Sequence, residues 1–299
     1  MLTHPEIVMY PVADMDYFIK PELFAAREWY IDRDDEETWQ KTHSCAEYTK
    51  LFDGLFEPGK IVGQKDADLL FWRPAHARLK RCLPETRFIF VLRDPVKRAE
   101  SQYWNEVAKG RETSENFEEA LEKEEERSRA SDYGRLHLNY RERGKYIESI
   151  EHFRNHINDE RFLIVILEKL KNDPDRELAR IAEFLGISSE GFAQARSIHS
   201  NRQEVMEIKE KYRGTPVESL IRFYDRFAEA AIVRYTRDKD IRDALRRRFK
   251  SFGKESVRQK KTLSPALERE LREYYRESIE ALEHYLGYSI DEWKGKSPS

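Results

Sequence analysis

The sequence has few cysteines, no long apolar run and no large excess of either charge. Its two cysteines, Cys45 and Cys82, allow one disulfide bond at most and form no CxxC motif, which excludes a disulfide scaffold and a cysteine-rich zinc site. The longest apolar runs, Phe88–Leu92 and Phe162–Leu167, are far shorter than the roughly 20 residues of a membrane helix. With no visible signal peptide, we expect a soluble, cytoplasmic protein.

The charges nearly balance, with 54 Lys+Arg against 57 Asp+Glu and a net charge of −3. This balance argues against a nucleic-acid partner, but it leaves room for a local anion pocket. Hydrophobic residues make up 39% and aromatic residues 12% of the 299 positions, so the chain can bury a sizeable core and is not disordered. Composition does not decide the oligomeric state.

Two apolar segments, Arg87–Arg93 and Arg161–Leu167, predict buried strands at the centre of a parallel sheet. An Asp-Pro pair follows each strand, and this pair is typical of a helix start, with aspartate as the cap and proline in the first turn. Asp94-Pro95 opens the first of these helices and Asp173-Pro174 the second, which we expect to end at Gly186. The alternation of strand and helix indicates an α/β architecture.

The rest of the chain favours helices. Residues 115–156 predict mostly helix, and from about Pro216 to Leu286 the apolar spacing is helical with no convincing strand. Ser264-Pro265 is expected to open a final helix. Its predicted apolar face consists of Leu267, Leu271, Tyr275, Ile279, Leu282 and Leu286. Just before it, residues 242–261 contain nine Lys/Arg and two acids, which fits either a solvated surface or an anion-binding segment.

Arg93 is a candidate phosphate ligand because it ends a predicted strand directly before a predicted helix. Ligands of open α/β sheets bind outside the carboxyl ends of the strands, where a helix amino terminus favours anions. A guanidinium at that point can hold a phosphate through two parallel hydrogen bonds. The alternative is an arginine that ties the strand end to a neighbouring carboxylate.

The segment LRDPVKRAESQYWN, which begins at Leu92, resembles the 3′-phosphate-binding segment of sulfotransferases that use 3′-phosphoadenylyl sulfate (PAPS). In that family an arginine ends a strand and a serine follows eight positions later, as Arg93 and Ser101 do here. Further motifs similar to those of carbohydrate- or heparan-sulfate-type members follow in the same order: His4-Pro5-Glu6-Ile7, Asp14-Met15-Asp16-Tyr17-Phe18, Gly63 to Phe71, Arg143-Gly144-Lys145-Tyr146, Glu168-Lys169-Leu170, Asp173-Pro174, Phe184-Leu185-Gly186, Lys261-Thr262-Leu263-Ser264 and Trp293.

The resemblance implies a P-loop-NTPase-like parallel sheet flanked by helices, with a largely helical C-terminal third. We expect one sulfotransferase-like domain over 1–299, with the α/β core in 1–190 and a mainly helical part in 191–299. The implied reaction moves a sulfuryl group from PAPS to a hydroxyl or amine of a carbohydrate-like or small-molecule acceptor. It needs no metal.

The resemblance also implies roles on the acceptor side. Asp14 stands where family members of the carbohydrate type have a glutamate as general base, and Asp16 competes for that role. Lys65 is expected to contact the acceptor or the bridging oxygen, and Asp68 to bind the acceptor. The glutamate that usually precedes this lysine is Gln64 here, so the neighbourhood differs from the family pattern.

On the nucleotide side, the resemblance implies that Arg93 and Ser101 hold the 3′-phosphate and that Lys260 and Lys261 close over the nucleotide. A Lys-x-Gly-Thr-Thr-like loop for the 5′-phosphosulfate should come about a dozen residues before His4, and the sequence does not contain it there. A late start, a truncation or a loss of catalysis would each explain this. The alternative function is therefore a catalytically silent nucleotide-binding or protein-interaction module. A P-loop kinase-like phosphotransferase is disfavoured because no magnesium-binding acid ends a strand.

Overall fold

The computed structural model describes residues 4–10, 17–19, 37, 39–40, 43–108, 111–192 and 263–294. The strands are β1 (Ile7–Met9), β2 (Ile61–Gly63), β3 (Phe88–Leu92) and β4 (Phe162–Ile166). The α-helices are α1 (Cys45–Lys50), α2 (Pro74–Cys82), α3 (Pro95–Ala108), α4 (Phe117–Ala130), α5 (Asp132–His137), α6 (Tyr146–Arg154), α7 (Leu167–Asn172), α8 (Pro174–Leu185) and α9 (Pro265–Leu286). Short 3₁₀ turns lie at Glu142–Gly144, Asp159–Arg161 and Asp291–Trp293.

The strands form two parallel pairs, β1 with β2 and β3 with β4. The two strands predicted from apolar runs are confirmed to within one residue at each end, and they pair in parallel, with Phe88 beside Phe162. Strand β4 is almost entirely buried, but Val91 in β3 is 51% exposed. The prediction of full burial was therefore wrong for β3, because the residues that the structure describes do not fully cover the face of the sheet on which Val91 lies.

Side-chain caps explain why three helices begin where the sequence predicts. The Asp94 carboxylate accepts the backbone N–H of Val96 at 2.9 Å, and Asp173 and Ser264 each accept an N–H from the first turn of α8 and α9. A proline follows each cap, and its fixed φ suits the first helical position while its missing N–H costs nothing there. The three predicted helix starts are confirmed.

The predicted end of α8 is also confirmed, since Gly186 adopts φ 74° and closes the helix in the left-handed conformation. In α9, Leu267, Leu271, Tyr275 and Leu282 are buried, as the apolar stripe predicts. The basic segment 242–261 and the helical pattern before it lie outside the described residues. None of the described helices is both long and apolar enough to cross a lipid bilayer.

The C-terminal helix completes the hydrophobic core rather than lying outside it. One cluster of buried side chains packs β3, β4 and α6 against Leu282, Ile290 and Trp293. A second cluster packs α3 and α4 against Leu271 and Tyr275 of the same helix. Burial of a large apolar side chain stabilises a fold by roughly 2 kcal/mol. Since α9 has buried side chains in both clusters, it stabilises both of them.

Cys45 and Cys82 form a disulfide bond that joins the start of α1 to the end of α2. Their Cα atoms are 4.8 Å apart, and 37 positions separate them in the sequence. The single disulfide that the sequence allows is thus present in the structure. Disulfides persist in oxidising compartments, so this bond gives no support to the cytoplasmic location expected from the sequence.

Three histidines meet between α2 and α6. His76 is fully buried, its Nε2 lies 3.0 Å from the carbonyl oxygens of Leu69 and Leu70, and its Nδ1 lies 2.8 Å from Nδ1 of His152. Since carbonyls only accept, Nε2 of His76 carries the proton and its Nδ1 accepts from His152. Burial, followed by the charges of His152 and His156, lowers the pKa of His76 to about 4.

We expect acid to destabilise the protein through this cluster. The native state keeps His76 neutral down to pH 4, whereas the unfolded chain takes up the proton near pH 6.5, so the contribution is complete above pH 6.5 and is lost as the pH falls. By pH 5 the loss at this one group amounts to about 2 kcal/mol. Urea unfolding at pH 7 and pH 5 should show a smaller difference for His76→Gln than for the native protein. His284→Gln, on the exposed side of α9, is the control, and an equal pH dependence of all three proteins would contradict the prediction.

Candidate functional site

Arg93 lies in the two-residue connection between β3 and α3, at the carboxyl end of the strand. Its side chain is partly exposed, and its guanidinium makes no hydrogen bond or ion pair with any of the residues that the structure describes. The alternative of an arginine tied to a neighbouring carboxylate therefore finds no support in the described part of the chain. A cation without a protein partner at a strand end is free to bind an anionic ligand.

The peptide unit between Arg93 and Asp94 is held by side chains at both of its polar groups. The Tyr146 hydroxyl donates to the carbonyl oxygen of Arg93 at 2.7 Å, and the N–H of Asp94 donates to Oε1 of Glu168 at 3.2 Å. Burial raises the pKa of Tyr146 to about 12, so the hydroxyl keeps the proton that it donates. The backbone from which the Arg93 side chain leaves is thus fixed from two directions.

The C-terminal part of the chain braces the same peptide. Trp293 donates its indole N–H to Oε2 of Glu168 at 2.8 Å, and its carbonyl accepts from Arg272 at 2.7 Å. Arg272 also contacts Oδ2 of the fully buried Asp94 at 3.0 Å, which closes a ring of hydrogen bonds. We call four side chains the strand-end support: Tyr146, Glu168, Arg272 and Trp293.

Asp94 changes one expectation about anion binding. Its Oδ1 accepts the backbone N–H groups of Val96 and Lys97, at 2.9 and 3.2 Å. A carboxylate from the chain itself therefore occupies the amino terminus of α3, where the sequence suggested that an external anion would gain from free N–H groups. An anion at this strand end has to be bound mainly by side chains.

Ser101 lies on α3, seven residues and about two helical turns after Asp94, so both face the same side of the helix. Its side chain is partly exposed, and its hydroxyl has no hydrogen-bond partner among the described residues. Arg93 and Ser101 thus offer a cation and a hydroxyl, both without protein partners in the described chain, at the strand end and on the helix that follows it. This combination suits a phosphate group.

The segment after β2 carries the predicted acceptor-side residues. Gln64 accepts a hydrogen bond from the Tyr48 hydroxyl at 2.6 Å, which fixes the start of the segment against α1. Lys65, the next residue, is exposed. The Asp68 carboxylate forms an ion pair with Arg143 that is mostly shielded from solvent, so one of its oxygens is engaged before any ligand binds.

The Arg143–Tyr146 motif links the two predicted halves of the site. Arg143 contacts Asp68 on the acceptor side and the Leu136 carbonyl, while Tyr146 holds the Arg93 carbonyl on the nucleotide side. Between them, a Cβ on Gly144 would come within 2.7 Å of the Tyr275 ring, so only glycine fits. The motif therefore has a structural reason at three of its four positions.

The structure places some predicted site residues and leaves others untested. Arg93, Ser101, Lys65 and Asp68 lie in described segments, with Asp68 joined to the Arg93 strand end through the 143–146 motif. Four predicted residues lie outside the described residues: Asp14, the competing base Asp16, Lys260 and Lys261. Among the described residues, no group of three or more His, Cys, Asp or Glu side chains is arranged to hold a metal ion.

Sequence reasoning missed the strand-end support. Motif similarity pointed to Tyr146, Glu168 and Trp293, but without a role for any of them, and it did not point to Arg272. Glu168 and Trp293 are 125 positions apart and meet only in the folded chain. No local spacing could have paired them.

Residues 73–284 match the family model of the sulfotransferase domain. The chain belongs to this family. Two human proteins, heparan sulfate glucosamine 3-O-sulfotransferases 3B1 and 3A1, are each 32% identical to it over 129 residues, which is 43% of this chain. The match spans only about a third of the length of these curated relatives, 32% of 3B1 and 30% of 3A1.

A solved structure supports the fold over nearly the whole chain. The sulfotransferase from Alicyclobacillus acidocaldarius aligns with a TM-score of 0.60 and 20% identity, covering 97% of this chain and 90% of that one. The predicted α/β fold of P-loop type is thereby confirmed. The described part of the C-terminal region is helical, as predicted.

Proposed function

We propose that this sulfotransferase-family chain moves a sulfuryl group from PAPS to a hydroxyl or amine of a carbohydrate-like or small-molecule acceptor. The observation that carries the proposal is the Arg93 guanidinium, which has no partner in the described chain and extends from a strand end that Tyr146 and Glu168 hold in place. The two human relatives are named for heparan sulfate glucosamine, which favours a carbohydrate among the acceptors.

On the nucleotide side, Arg93 binds the 3′-phosphate of PAPS through two parallel N–H···O bonds, and Ser101 donates its hydroxyl to the same phosphate. Lys260 and Lys261 are proposed to approach the nucleotide from the C-terminal region. These contacts bind substrate and product alike, because the 3′-phosphate is unchanged by the reaction. They position the reacting sulfuryl group rather than stabilise its transition state.

In the transfer step, the acceptor oxygen or nitrogen forms a bond to sulfur while the bond between sulfur and the bridging phosphate oxygen breaks. The acceptor proton passes to a carboxylate, for which we propose Asp14 with Asp16 as the competing candidate. Negative charge grows on the bridging oxygen, and Lys65 is proposed to stabilise it or to orient the acceptor. Asp68, already paired with Arg143, has its second oxygen available as an acceptor contact. The products are a sulfate ester or sulfamate and 3′-phosphoadenosine 5′-phosphate.

Turnover requires a further element that stabilises the 5′-phosphate of the leaving group. A Lys-x-Gly-Thr-Thr-like loop performs this role in the family. The second candidate function is a catalytically silent nucleotide-binding or protein-interaction module of the same family. The two functions share the Arg93 site and differ in transfer, so binding and turnover must be measured separately.

Titration of the chain with 3′-phosphoadenosine 5′-phosphate tests the shared nucleotide site. Arg93→Ala should weaken binding by about 10- to 100-fold, because it removes charge-assisted hydrogen bonds worth roughly 1.5–3 kcal/mol. Arg87→Ala, at the amino end of the same strand, is the matched control and should leave the affinity unchanged. Isothermal calorimetry measures both, and equal affinities of the native protein and Arg93→Ala would contradict the proposal.

Transfer of labelled sulfuryl from PAPS to a heparan-type oligosaccharide separates the enzyme from the silent module. In a form of the protein that also carries the phosphosulfate loop, we expect turnover, and Asp14→Asn should lower kcat at least 100-fold while leaving nucleotide affinity unchanged. Asp16→Asn is the paired control. Full turnover by Asp14→Asn removes Asp14 from the mechanism, and absence of transfer in the loop-bearing parent favours the silent module.

A further inference from the structure

We propose that the strand-end support is a positioning device: it fixes the Arg93–Asp94 peptide so that the Arg93 side chain points at the 3′-phosphate. The proposal rests on the proposed function, because it assigns a task to residues that do not themselves touch the nucleotide. It makes the C-terminal turn at Asp291–Trp293 part of the nucleotide site, 200 positions after Arg93.

Hydrogen bonds at both polar groups restrain the plane of the Arg93–Asp94 peptide. Its oxygen accepts from Tyr146 on α6, and its N–H donates to Glu168, which follows β4. Rotation of this plane would break both hydrogen bonds and leave polar groups unpaired in a mostly buried place. The plane is therefore held in one orientation, and that orientation sets the direction in which the Arg93 Cα–Cβ bond leaves the strand.

The Glu168 carboxylate is itself held in place. Its Oε1 accepts from Asp94 and its Oε2 from the indole of Trp293, so both oxygens are engaged by N–H donors. Trp293 is 2% exposed, and its ring packs against that of Tyr146 at a centroid distance of 5.8 Å. Tyr146, which holds the peptide oxygen, thus also packs against Trp293, the residue that holds Glu168.

Arg272 closes the ring of hydrogen bonds that runs from Asp94 through Glu168 and Trp293. This residue binds the Trp293 carbonyl through Nη1 and the Asp94 carboxylate through Nη2. The C-terminal turn therefore cannot shift without breaking a hydrogen bond to α9 or to Glu168. A charge-paired ring of this kind is more rigid than any one of its bonds.

Rigidity at this position has a direct use. The guanidinium of Arg93 has no described partner to orient it, so its approach depends on the backbone from which it extends. A long side chain on a fixed base loses less freedom when it forms two parallel bonds to a phosphate, and the binding is tighter. The support should thus strengthen binding of a 3′-phosphate and leave binding of the remainder of the nucleotide unaffected.

The ratio of two affinities tests this selectivity. We compare dissociation constants for 3′-phosphoadenosine 5′-phosphate and adenosine 5′-phosphate, which differ by the 3′-phosphate alone. Trp293→Phe removes the indole donor, and Glu168→Gln places an amide NH₂ against one of two N–H donors. Each variant should lower the ratio about tenfold while its affinity for adenosine 5′-phosphate changes less than twofold.

Trp39→Phe is the matched control, because Trp39 is equally buried and donates its indole N–H to the Tyr17 carbonyl at 3.0 Å, away from the strand end. It should keep the native ratio. If Trp293→Phe and Glu168→Gln also keep it while Arg93→Ala lowers it, the positioning role is overturned and the nucleotide site stands. A loss of both affinities in equal proportion would likewise overturn it, since that is the result of structural damage alone.

Amide hydrogen exchange at Asp94 tests the support without any nucleotide. Glu168 holds this N–H in the native protein, so Glu168→Ala, which removes both acceptor oxygens, should speed its exchange at least tenfold relative to amides in the middle of α9. If the native protein does not prefer the 3′-phosphorylated nucleotide, the proposed function fails. The exchange rate at Asp94 then still shows whether the strand-end support holds this peptide. An unchanged rate at Asp94 overturns it.

Discussion

Where β3 meets α3, the fold buries the carboxylate of Asp94 completely and must satisfy it there. The first turn of α3 donates to one oxygen and Arg272 of α9 to the other, so strand, helix and C-terminal helix are joined through a single side chain. Removal of one partner from a buried pair of this kind costs about 3–5 kcal/mol, because a charge is left without compensation. Glu168 accepts the N–H of the same residue, and Trp293 donates to Glu168 in turn.

This constraint also explains how a cation can face outward next to a carboxylate. Asp94 uses its charge internally, on the helix amino terminus and on Arg272, while Arg93 makes no such contact in the described chain. The strand end therefore presents a positive group outward and keeps the negative one inside. At the 143–146 motif the cation is instead paired, because Arg143 is neutralised by Asp68.

Local patterns predicted the local structure well. The caps Asp94, Asp173 and Ser264, the stop at Gly186 and both apolar strands depend on residues close together in the sequence, and each is confirmed. The exposure of Val91 was missed because the coverage of a strand depends on which elements pack beside it. The support was missed for the same reason, since the contact of Trp293 with Glu168 links segments 125 positions apart. The predictions for Asp14, Lys260 and Lys261 lie outside the described residues and stay predictions.

A crystal structure of the chain with 3′-phosphoadenosine 5′-phosphate is the most direct test of the Arg93 site. We expect the 3′-phosphate within hydrogen-bond distance of both the Arg93 guanidinium and the Ser101 hydroxyl, with the Tyr146 and Glu168 contacts to the Arg93–Asp94 peptide intact. A nucleotide bound with its 3′-phosphate elsewhere, or an Arg93 side chain turned away from it, would show that Arg93 is not the 3′-phosphate ligand.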